Sequence, residues 1–121
     1  MNFCWVTLPV KNLEASLTFY HGILGLPISS RHEGAGMKMA MLGEEAQPKI
    51  ELVELADNKE KHLHSDLSIG IAIDSMESAM ELLETKKILI ERGPNSPNPS
   101  IRFFYVLDPD GYEVQLVETR E

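Results

Sequence analysis

The feature that most constrains this fold is that the chain is written twice. The stretch "VKNLEASL" at 10–17 returns as "IDSMESAM" at 73–80, with the same apolar pattern and the same placement of Glu. Further on, "IELVE" at 50–54 returns as "VQLVE" at 114–118. The two shifts, 63 and 64 residues, are nearly equal, so duplication of one supersecondary unit explains both. Within the second match one substitution stands out: Gln115 replaces the carboxylate of Glu51.

Each half reads as a strand, a helix and then shorter strands. "FCWVTLPV" is apolar and β-rich, and Pro9 limits pairing near its end, which places a strand at about 2–9. Asn12 caps a helix whose stripe is Leu13, Leu17, Tyr20 and Leu24, and Gly22 and Gly25 help to end it. In the second half Asp74, with Glu77 three residues on, resembles a capping box, and Met76, Met80 and Leu83 continue the stripe to about Lys86. Strands are expected at 27–32, 37–42, 49–55, 67–73, 88–92, 101–107 and 113–118. The turn-forming stretches "EGAG", "GEEAQP", "PNSPNP" and "DPDG" separate them. The result is an α+β chain of two βαβββ modules, at about 1–56 and 66–121, within one domain of 121 residues.

Composition narrows the function classes. With 43% hydrophobic and 25% charged residues the chain has the balance of a folded globular protein. A net charge of −8 and no cluster of Lys or Arg argue against nucleic acid as a partner. No apolar run is long enough to span a bilayer and no basic-then-apolar leader opens the sequence, so the expected location is cytoplasmic, with no membrane partner. Cys4, the only cysteine, lies between Phe3 and Trp5 and reads as a small buried hydrophobe rather than a nucleophile.

The double βαβββ order, the opening "LPVKNLEASLTFYHGILGL" and the closing "DPDGYEVQLVE" resemble the vicinal oxygen chelate superfamily, the glyoxalase and bleomycin-resistance group. The resemblance implies a homodimer whose curved sheets close around two sites for a small-molecule ligand. It bears on the fold far more than on the activity.

Strand alternation selects four positions independently of any family. Ile50 and Leu52 point toward the helix, which sends Glu51 and Val53 the other way; Val114 and Leu116 likewise send Gln115 and Val117 to the opposite face. On the two leading strands Val6, Leu8, Ile69 and Ile71 take the helix side, leaving Trp5 and Ser68 on the other. Similarity to metal-dependent glyoxalases implies that these four places would hold metal ligands. A transition metal needs several converging imidazole, carboxylate or thiolate donors, whereas Trp5, Glu51, Ser68 and Gln115 supply one carboxylate, one hydroxyl, one neutral amide and an indole with no lone pair to give. The expectation is a pocket without metal or other cofactor, in which Glu51 is the candidate catalytic base. Trp5, Ser68, Gln115, Arg102 and Tyr105 are the candidate ligand-binding residues, although alternation does not fix the facing of Arg102.

The remaining motifs carry less. His62 and His64 have a spacing that suits a metal but lie in the charged connection "DNKEKHLHSD"; His21 and His32 have no evident partner. Met37, Met39 and Met41 share one face of a strand, and core filling is preferred to the alternative of an adaptable pocket wall. "FFY" at 103–105 turns at least one aromatic toward the cavity. The leading function is thus a metal-independent site that binds or transforms a small organic compound. The alternatives are a metal-dependent glyoxalase-type lyase with unorthodox ligands and a regulatory or structural homodimer.

Overall fold

A computed structural model describes residues 2–56 and 67–119. The chain divides into two compact units, Met1–Leu63 and His64–Glu121. In the first, β1 (Trp5–Val10), α1 (Leu13–Leu17), β2 (Ile28–Gly34), β3 (Met37–Leu42) and β4 (Lys49–Leu55) follow in order. In the second, β5 (Ser68–Ala72), α2 (Met76–Thr85), β6 (Arg92–Asn98), β7 (Ile101–Leu107) and β8 (Glu113–Thr119) repeat it. The sheets have orders β1-β4-β3-β2 and β5-β8-β7-β6, so each module pairs its first strand parallel to its last and closes with antiparallel neighbours. The α+β, twice-βαβββ reading of the sequence is the observed architecture.

Alternation sorts each sheet into two faces. Toward the helix, the first sheet buries Leu8, Val10, Ala40, Leu42 and Leu52, and the second buries Phe104, Val106, Val114 and Leu116. Leu13, Leu17 and Tyr20 from the first helical stretch, and Met76 and Leu83 from α2, pack onto these residues as the sequence stripes require. The first helix is not α throughout: Thr18–Ile23 is π-helical. The wider turn brings two adjacent aromatics into the core, with Phe19 and Tyr20 edge to face at 5.0 Å.

Both helices begin in the same way. Asn12 accepts a hydrogen bond from the Ala15 N–H at 2.9 Å, as expected. In the second module the cap is Ser75, which accepts from the Ser78 N–H at 3.2 Å, and not Asp74, because Ser75 is the residue in extended conformation at the helix entry. A glutamate from the last strand completes each start. Glu54 accepts from the Leu13 N–H and Glu118 from the Met76 N–H, both at 2.7 Å. These are further orphan donors of the first turn, and a carboxylate also complements the positive helix end.

The second correction concerns β6. The sequence places a strand at 88–92 and a turn in "PNSPNP"; instead 92–98 is the strand. Pro94 and Pro97 are tolerated because β6 is an edge, paired only to β7. Register slips between its bonded positions, with Arg92 opposite Tyr105, Asn95 opposite Phe103 and Asn98 opposite Ile101. No helix among the described residues is long and apolar enough to cross a membrane.

Candidate functional site

The face of each sheet turned away from its helix carries the candidate residues. In the first module one row across the sheet reads Thr7, Glu51, Met41 and Ser30, and the next reads Pro9, Val53, Met39 and His32. Glu51 is partly buried and accepts a 2.7 Å hydrogen bond from the Thr7 hydroxyl through Oε1. Trp5 begins β1 on the same face, opposite Lys49, and is 51% exposed. The three methionines also lie on this face and are partly buried. They do not fill the helix-side core, as the preferred reading of core filling would have them do: the period of two puts Ala40 and Leu42 there.

In the second module the equivalent row reads Gly70, Gln115, Tyr105 and Arg92, and its neighbour reads Ala72, Val117, Phe103 and Asn95. Gly70 is the repeat mate of Thr7, so Gln115 has no hydroxyl donor across the parallel pair. Ser68 lies opposite Glu113 across the parallel pair. Arg92 reaches Glu113 with Nε at 3.1 Å and Nη2 at 2.8 Å, and its guanidinium carbon lies 3.7 Å from the centre of the Tyr105 ring. Arg92 is the main cause that holds the Glu113 carboxyl below the usual carboxylate range. Phe103 meets Tyr105 edge to face at 5.8 Å.

The structure thus puts Trp5 and Glu51 on one open face and Ser68, Gln115 and Tyr105 on the other. Arg102 does not join them. It lies in register with Glu118 on the helix-covered side, donating to it from Nε at 2.7 Å and Nη2 at 3.1 Å, and pairs with Glu77 at 2.7 Å. Its charge is already used to hold the Glu118 cap. The sequence reading missed Thr7, Arg92 and Glu113. Thr7 was legible as the alternate residue after Trp5, but Arg92 depended on the unforeseen path of β6. His62 and His64 lie outside the described residues. Cys4 is exposed rather than buried, since it precedes β1.

The donor set can be tested against the metal that the resemblance to metal-dependent glyoxalases implies. Among the described residues no three His, Cys, Asp or Glu side chains converge as a metal group would require. At the four positions selected above, only Glu51 is an anionic donor. These residues do not fit a divalent transition metal.

The model of the Glyoxalase/Bleomycin resistance protein/Dioxygenase superfamily matches residues 3–116. The chain belongs to this superfamily. Superfamily members of known sequence include a lactoylglutathione lyase from Oryza sativa, 29% identical over 98% of this chain, which spans 44% of the rice protein's length. Among solved superfamily folds, glyoxalase I of Leishmania major has a TM-score of 0.81 at 20% identity, covering 98% of this chain and 86% of its own. TnmS3, an antibiotic binding protein from Streptomyces, has a TM-score of 0.72 at 17% identity, covering 98% and 96%. At those identities the two structures speak for the fold alone.

Proposed function

We propose that this superfamily member holds a metal-independent small-molecule site on the open faces of its sheets, where it binds or transforms a small organic compound. The observation that carries the reading is the donor set: an indole, one carboxylate, a hydroxyl and a neutral amide stand at Trp5, Glu51, Ser68 and Gln115, where metal-dependent relatives would need several strong donors. The surrounding side chains suit an organic ligand. Met39, Met41 and Val53 flank Glu51, and Phe103, Tyr105 and Val117 flank Gln115.

If the site is catalytic, Glu51 is the base. The Thr7 hydroxyl fixes Oε1 of its carboxylate, leaving Oε2 as the atom that takes a proton from a substrate carbon or heteroatom. Negative charge developing on the substrate would then be met by hydrogen bonds alone. A metal-dependent lyase is the second reading, favoured by the names of the lactoylglutathione lyase relatives. Two measurements separate the readings. Elemental analysis of untagged protein should find no stoichiometric nickel, zinc or manganese, and Trp5 fluorescence should shift on titration with a compound library equally with and without chelator. One metal per chain, or lyase activity abolished by chelator and restored by metal, would instead establish the second reading.

A further inference from the structure

The open face of the second module carries a construction that the proposed function leaves unused. Arg92 starts on edge strand β6, crosses the ring of Tyr105 on β7 at 3.7 Å and ends in two hydrogen bonds to Glu113 on β8. Its guanidinium is therefore laid along the sheet. A ring under one side and a carboxylate at one edge fix both its position and its plane, and Phe103 supports Tyr105 edge-on. The Arg92 side chain is nevertheless 54% exposed.

We propose, resting on the reading of a small-molecule site, that Arg92 is its stacking platform and that the ligand is a planar ring system, neutral or cationic, rather than an anion. A guanidinium is flat and weakly hydrated and stacks on aromatic faces from either side. With Tyr105 on one side, a planar ligand on the other makes a three-layer stack without the ordering cost of a mobile arginine, because the arginine is already held. The charge balance opposes an anion. Glu113 neutralises Arg92 and is kept ionised by it, so an incoming carboxylate or sulfonate would have to displace a two-point ion pair. The chain's net charge of −8 adds repulsion at longer range. Gln115, beside Tyr105 in the same row, offers both a donor and an acceptor to heteroatoms at the ring edge.

Calorimetric titration with three probes tests this: 9-aminoacridine, a planar cation; 1-adamantylamine, a cation without a plane; and anthraquinone-2-sulfonate, a planar anion. The acridine is expected to bind at least tenfold more tightly than either other probe. Arg92→Lys keeps the charge and loses the plane, and should weaken acridine binding about tenfold while leaving adamantylamine unchanged. Glu113→Gln removes the balancing carboxylate and should strengthen sulfonate binding about tenfold. If Arg92→Lys fails to fold, as its melting curve would show, the Glu113→Gln result decides. Acridine binding that is indifferent to Arg92→Lys, adamantylamine binding as tight as acridine, or unchanged sulfonate binding in Glu113→Gln overturns the platform while the small-molecule site stands. Absence of binding by these probes and by every compound in the Trp5 fluorescence titration overturns both.

Discussion

Trp5 stands where a ligand of a metal would be expected, and two roles for it differ in what they do to stability. An indole plugging a cavity would be buried, and its removal would cost about 3–5 kcal/mol. At 51% exposure Trp5 is not such a plug. Trp5→Ala should therefore cost less than that, about 1–2 kcal/mol in urea unfolding, and should weaken ligands found by screening. A loss of several kcal/mol with no effect on binding would show the reverse. Glu113 gives a second test at this scale. Arg92 depresses its folded-state pKa, so the stabilisation is present above the unfolded glutamate value of about 4.3 and is lost as pH falls through the lower folded value. Carbon-detected NMR should place its midpoint below that of an ordinary glutamate, and Arg92→Ala should raise it. Alternation in the sequence was enough to put Glu51, Gln115, Trp5 and Ser68 on open faces. It could not reveal the Arg92–Glu113 pair, because which residues meet across strands depends on register, and the register of β6 is set by slips that Pro94 and Pro97 accompany.

The helices owe their starts to the strands that follow them in the chain. Glu118 is 5% exposed and serves both the Met76 N–H and Arg102, so Glu118→Ala leaves a buried donor without its partner and Arg102 with Glu77 in place of two carboxylates. The expected loss is about 2–3 kcal/mol in urea unfolding. Glu54 caps α1 from a partly buried position, and Glu54→Ala should cost about 1–2 kcal/mol. Equal losses for the two would mean that the Arg102 pair adds nothing. This device was written in the repeat itself: Glu54 and Glu118 close "IELVE" and "VQLVE", and Asn12 and Ser75 occupy matching places in the helix-opening match. A local capping-box pattern favoured Asp74, whereas the register of the duplication points to Ser75. Where local chemistry and the repeat disagree, the repeat is the better guide, because it carries the tertiary context that the capping motif lacks. The π-helical turn at Thr18–Ile23 has no comparable signal in the sequence; it is set by the packing of Phe19 and Tyr20 together into one core.

At the scale of the whole molecule the exposed apolar side chains call for cover. Phe3 and Trp5 are 68% and 51% exposed, and Leu55, Leu89 and Leu107 add to them. Single exposed hydrophobics need no explanation, but Trp5 and Leu55 extend an open face that already carries Val53 and three methionines. We propose a second copy of the chain as the occupant, as the superfamily resemblance implies. Two polar members of that face, Thr7 and Glu51, are hydrogen-bonded to each other, so covering it would not strand that hydroxyl. Light scattering across the micromolar range should therefore return twice the mass of one chain. The surrounding substitution can be made without touching the helix side: Leu55→Glu places a charge at the end of β4, on the face shared with Met37, and should shift the population toward single chains at low concentration while far-ultraviolet circular dichroism stays unchanged. A wild-type mass of one chain throughout that range would leave these side chains in water and remove the reason for expecting a dimer.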